Sequence, residues 1–332
     1  MRRHLYDSEA VLCEDYISRG WTDGLPIVAP TPERVEAFLA ASGLDADEVL
    51  GMVTTREVTV RAGDAAVNAV MAGCLPSYFG VVAAAVRAHL HEMANCHSTT
   101  GTLSGAVQVV IVNGPVRLEI GVESGPGCFG PGFRANATIG RALRLIIRNV
   151  CRAVPGGLDR ASFSSPMRYS FCFAENEEAS DWMPLHVQRG FSPGQSTATV
   201  HSSFDITPAR AWDARGPEEI VDAIVSTMRK RGIVGDPWLG DRHSVVIVIG
   251  PEHHRFFTAA GWSKADIQAA MWPRITAPAT GHDDKFCNTG SPECILFVAA
   301  GGPGMSESWV LFPHLAWPIT CAVERSADRI RA

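Results

Sequence analysis

Val109-Val110-Ile111-Val112-Asn113-Gly114-Pro115 recurs as Val245-Val246-Ile247-Val248-Ile249-Gly250-Pro251, with six of the seven positions identical. A short β-branched run that stops at Gly-Pro predicts a buried strand, a sharp exit and a helix start, since proline is at home in a first helical turn. A looser third version runs from Ile295-Leu296-Phe297-Val298 into Gly301-Gly302-Pro303-Gly304. Strands that alternate with helical stretches predict a mixed α/β fold with sheet layers and helices. The two close copies suggest internal duplication of a helix-loop-strand-GlyPro-helix unit. The expected division is an N-terminal lobe over 1–200 and a C-terminal lobe, a structural repeat, over 201–332.

Composition narrows what such a chain can do. Hydrophobic residues form 46% and charged residues 19% of the 332, enough apolar material for a large core. The net charge is −6 and no basic block stands out, so a nucleic-acid partner is not expected. Nine cysteines, an odd number without a Cys-x-x-Cys pair, predict free thiols in a reducing, cytoplasmic setting. Residues 65–86 lack charge, but Gly73 and Pro76 interrupt them and predict two buried helices instead of a membrane span. Near the N-terminus, helices are predicted over about 8–19 and from Pro32, capped by Thr31, and a strand over 56–61.

The densest candidate site spans 124–149. Two Gly-Pro-Gly turns lead into a helix with Ile139, Ala142, Leu143, Ile146 and Ile147 on one face. Bare glycine amides at a helix start suit an anion. Arg134 is expected to pair with a substrate carboxylate there, and Ser124, Asn136 and Thr138 to add hydrogen bonds, joined by Asn113 from the first Gly-Pro copy. No Gly-Lys-Ser/Thr or Gly-x-Gly-x-x-Gly spacing is present, so no nucleotide or other cofactor is expected.

A second segment, Arg168 to Glu178, predicts a strand with Tyr169, Phe171 and Phe173 on one side and Ser170 and Cys172 on the other. It ends in Glu175, Asn176, Glu177 and Glu178. Cys172 is a candidate nucleophile, with Tyr169, Glu175 and Glu177 as acid/base groups. The competing reading is inert packing for the cysteine and a solvated turn for the acids. A metal cluster at His89, His91, Glu92, Cys96 and His97 is a third option, although i,i+2 histidines diverge on a helix. His282, Asp283, Asp284, Cys287 and Cys294 offer a similar set, and His253-His254 follow the second Gly-Pro. No metal is expected among the principal site residues.

The chain resembles a poorly characterised bacterial family associated with small (seleno)proteins carrying a (seleno)cysteine-Gly-Ser-Cys motif. The resemblance rests on Trp21-Thr-Asp-Gly-Leu-Pro-Ile-Val28, Val67-Asn-Ala-Val-Met-Ala-Gly-Cys74 and Val112-Asn-Gly-Pro115. It continues through Gly130-Pro-Gly132, Arg134 to Ala142, Tyr169 to Glu178 and Gly301-Gly-Pro-Gly304, and departs at Cys128 and in the 281–294 loop. It implies a thiol- or selenol-bearing protein partner and thiol-linked chemistry on a small organic molecule. Three readings stand at this point. The first is an enzyme, a lyase, hydrolase or thiol-linked redox protein, acting on a polar, carboxylate-bearing small molecule, and expected to form a homo-oligomer. The second is a non-catalytic ligand-binding or partner-docking subunit, and the third a metalloenzyme using His89–His97.

Overall fold

The computed structural model describes residues 5–231, 244–277 and 290–324. The chain begins with helices α1 (Glu9–Ser18) and α2 (Pro32–Ser42). Thr31 caps α2 as its sequence predicts, accepting from the Arg34 N–H, and Gly43 closes the helix in the left-handed region at φ 70°. Strands β1 (Val49–Val53) and β2 (Val58–Arg61) form a hairpin. The strand expected over 56–61 starts later, because residues 54–56 make a 3-10 turn and Glu57 is left-handed. Next come α3 (Ala62–Ala72) and α4 (Phe79–Leu90), separated at Gly73, where φ is 88°. Among the described residues no helix is long and apolar enough to cross a membrane.

The rest of the chain runs α5 (Cys96–Thr100), β3 (Val107–Asn113), α6 (Val116–Glu119), α7 (Arg134–Asn149), β4 (Cys172–Ala174), α8 (Leu185–Gln188) and β5 (Thr197–Arg210). It continues with α9 (Pro217–Arg231), β6 (Val245–Ile249), α10 (Pro251–Ala259), α11 (Lys264–Thr276), β7 (Ile295–Ala299), β8 (Glu307–Pro313) and β9 (Ile319–Ala322). One mixed sheet has the order β4-β3-β5-β8-β6-β7, with β9 extending the β5 side. The pairs β3/β4 and β6/β7 are parallel and the other pairs antiparallel. Strands from both sides of position 200 share this sheet, and β5 itself crosses it.

The sheet is curled until its two edges meet. The Asn176 N–H, just past β4, donates to the Ala299 carbonyl of β7 at 2.7 Å, and the Gly301 N–H donates to the Ser124 carbonyl at 2.8 Å. Inside the curl lies one apolar cluster drawn from both halves, including Val109, Ile111, Phe171, Phe173, Val246, Val248, Val298 and Leu311. The outer face is covered by α3, α4 and α7 over β3 and by α9, α10 and α11 over β6. Both faces of the central strands are therefore dry, which is why their sequences are apolar without alternation.

The matched heptapeptides form the same local unit, a strand followed by a glycine corner and a helix start. Each strand also has a parallel neighbour on its outer side and an antiparallel one toward the centre. Residue by residue, however, the copies face opposite ways. Val109 and Ile111 point into the curl, whereas their counterparts Val245 and Ile247 point out to the helices. A run buried on both faces carries no facing signal, so a one-residue difference in register leaves no trace in its sequence.

Candidate functional site

The first glycine corner organises a buried polar cluster. Asn113, wholly buried, ends β3, and its Nδ2 donates to Glu175 Oε2 at 2.6 Å and Glu177 Oε1 at 3.0 Å. Glu175, 1% exposed, also accepts from the Leu185 N–H at 2.7 Å and the Lys264 ammonium at 3.3 Å. Glu177 accepts from the Gly114 N–H at 2.7 Å and pairs with Arg117 at 3.2 Å. Burial pulls Lys264 below the ordinary lysine value, with Glu175 opposing that pull. Burial likewise pulls on Arg117, but Glu178 and Glu177 outweigh it and leave that group raised. Among the described residues, both ring nitrogens of the fully buried His186, Asn113 Oδ1 and Thr197 Oγ1 have no hydrogen-bond partner.

Asn113, Glu175 and Glu177 thus converge, while the other candidates disperse. Arg134 turns back to the Gly73 carbonyl, donating from Nε at 3.1 Å and Nη2 at 3.0 Å. Asn136 stitches the turn, receiving the Glu123 N–H and donating to the Glu123 and Cys128 carbonyls. Thr138 bonds its own helix at the Arg134 carbonyl. Ser124 serves through its backbone at the sheet seam. Cys172 faces the helices from β4, 2% exposed, and burial holds its thiol well above the usual cysteine value. Phe171 and Phe173 do face the inner cluster together, but Tyr169 lies before the strand, half exposed, beside a different cavity.

Among the described residues lie a pair of cavities roomy enough for a small molecule. The first, about 430 Å³, lies where the turns at 126–129, 250–251 and 301–304 converge, walled also by Val248, Met305, Glu307 and Trp309. The second, about 410 Å³, lies between α7 and the 153–169 segment and is lined by Arg144, Arg148, Arg168, Asp23, Asp159 and Tyr169, with Ser164 and Ser165 at its wall.

Charge in the second cavity is unevenly matched. Asp159 is held by Arg168, with Nη2–Oδ2 at 2.6 Å and Nη1–Oδ1 at 3.3 Å. Asp23 is held by Arg141 through two bonds of 2.8 Å. Both carboxylates are thereby spoken for. Arg144 donates to the Gln108 amide oxygen and Arg148 to the Gly20 carbonyl, and among the described residues neither has a carboxylate partner. Burial pulls Arg144 down to about 9, with Arg168 adding repulsion, so it still carries its charge at neutral pH. Arg141, Arg144 and Arg148 recur at helical spacing on the polar side of α7. That pattern was visible in the sequence beside the apolar face. Lys264 and His186 gave no such signal, since each reaches its site only through the curl of the sheet.

Metal chemistry finds no cluster here. Among the described residues no group of three or more His, Cys, Asp or Glu is placed to hold an ion. His89 is buried in the core, whereas the exposed His97 bonds Thr55 at 3.0 Å. His282, Asp283, Asp284 and Cys287 lie outside the described residues. His253 meets Ser308 at 2.8 Å and His254 meets Ser180 at 2.9 Å, so both serve local contacts. No protein-family model matches the chain, and no curated protein matches it in sequence.

Proposed function

We propose that the chain is an enzyme for a small carboxylate-bearing molecule, held in the arginine-lined cavity with the Tyr169 hydroxyl as its acid/base group. The observation that carries this reading is Arg144, a half-buried guanidinium on the cavity wall whose hydrogen-bond partner is the neutral Gln108 amide oxygen. Asp159 offsets part of the cost of desolvating Arg144 but makes no ion pair with it, and a ligand carboxylate would relieve the rest through charge-assisted, bidentate hydrogen bonds. Arg148 offers a second cation on the same wall, so a ligand with two anionic groups suits the site better than one. A volume near 410 Å³ is in the range of small-molecule sites.

The chemistry this favours is proton transfer of the lyase or hydrolase kind. Among the described residues that line the cavity, Tyr169 is the one titratable group that is neither ion-paired nor cationic. Cys172 has no part in it, because a sealed thiol held in its neutral form is a poor nucleophile. Any thiol step would use the thiol- or selenol-bearing partner that the family resemblance implies.

The test is a thermal-shift and calorimetric series with acetate, succinate and citrate. Succinate and citrate are expected to stabilise the wild type, and Arg144→Met to weaken them at least tenfold without loss of basal stability. Undiminished binding by that variant would remove the proposal. Tyr169→Phe should bind the ligand and lose its conversion, whereas retained conversion would assign the cavity to binding alone.

A further inference from the structure

The glycine-walled cavity is not used by the proposed function, and its chemistry is opposite to that of the arginine cavity. Among the described residues no lysine, arginine or histidine lines it. Its ionisable groups are the Cys128 thiol, pushed up to about 11 by burial and so neutral, and the Glu307 carboxylate. Phe129 and Trp309 form an aromatic wall, with ring centroids 5.9 Å apart and edge-on, and Phe129 is braced behind by Phe171 and Phe173. Val248, Ala300, Met305 and three prolines complete an apolar lining.

The rim is fixed in place. The Gly304 N–H donates to Glu252 Oε1 at 2.7 Å, and Gly301 is tied across the seam to Ser124. A side chain on Gly302 would run into Pro126, so that turn is held against the first half of the chain. At Gly304, φ is 140° and a Cβ would meet nothing within 4 Å, so bare backbone faces open space. Glu307 accepts from Trp309 Nε1 at 3.1 Å and from Arg210 Nε at 3.1 Å, which sets its carboxylate beside the indole.

We infer that this cavity is a second binding site, for a flat aromatic ring bearing an amino group. The rings and apolar walls take the ring by offset or edge contact, and the Glu307 carboxylate at the indole N–H edge favours a cation. An anionic ring is disfavoured, since the charged side chain on the described lining is the Glu307 carboxylate, whereas its ion-pair partner Arg210 is not part of that lining. The site stands on its own lining and does not depend on the reading of the arginine cavity.

Tryptamine, indole and indole-3-propionate distinguish the idea by ligand-observed NMR and calorimetry, run in the Arg144→Met background so that the arginine cavity takes no carboxylate. Tryptamine should bind at least fivefold tighter than indole, and indole-3-propionate at least tenfold weaker than indole. Met305→Trp, which fills the cavity from its exposed rim, should weaken tryptamine and indole at least tenfold. Glu307→Gln should abolish the preference for tryptamine while leaving indole within twofold. No binding of indole or tryptamine, binding that survives Met305→Trp, or a preference that survives Glu307→Gln would each overturn the assignment.

Discussion

At Gly114 the chain leaves β3 into a knot of charge, where Asn113, Glu175, Glu177, Arg117 and Lys264 are all buried or nearly so. At Gly250 it leaves β6 beside an apolar cavity. The two corners share a backbone reason for glycine, because a Cβ at Gly114 would strike the Gln195 carbonyl, just before β5, and one at Gly250 the Glu307 carbonyl at the start of β8. They differ at the single unmatched position of the heptapeptide. Asn113 points into the curl and collects two carboxylates, whereas Ile249 points outward into the helical layer. Similar corners can thus be assigned to structure-holding polarity or to an open binding surface by one residue and the face it occupies.

That contrast is open to attack by substitution. The largest effect is expected at Lys264→Met, which strands Glu175 without its cation and should lose about 4 kcal/mol in urea unfolding. Adding Glu175→Gln should recover at least half of that, and no recovery would mean that the pair is not the reason. Asn113→Ile makes the two heptapeptides identical, yet it should cost about 3 kcal/mol by removing the shared donor of two carboxylates. A neutral result would erase the distinction between the corners. Gly250→Ala, at φ −73°, meets only the carbonyl and should cost about 2 kcal/mol through local displacement. Cys172→Ser should lose about 1–2 kcal/mol, as a hydroxyl replaces a thiol in a dry core, and the native thiol should resist iodoacetamide until the protein unfolds. Arg134→Ala should change stability by less than about 0.5 kcal/mol and leave succinate binding unaltered, in contrast to Arg144→Met. Loss of succinate binding in Arg134→Ala would return the anion site to the Gly-Pro-Gly turn.

Much of the local structure was legible. Thr31-Pro32 starts a helix, Gly73 divides the alanine-rich stretch, and Val107–Asn113 and Val245–Ile249 are buried strands. Asn113 and the Glu175–Glu178 run were legible as strand ends, whereas their meeting was decided by the parallel pairing of β3 with β4. Arg134 misled because a helix start supplies the field for an anion without fixing where a long side chain turns. Gly73 offers its carbonyl nearer by. Tyr169 was placed on a strand that begins only at Cys172, so its alternation had no meaning there.

Local order was set by the sequence alone, because caps, glycine corners and β-branched runs act over a few residues through sterics and backbone hydrogen bonds. Partnerships were decided by the tertiary structure. Lys264 meets Glu175 across 89 residues of chain, and the sheet seam joins Asn176 to Ala299. Contacts at that separation depend on the curl and register of the whole sheet, and strands buried on both faces leave register unwritten in their own residues.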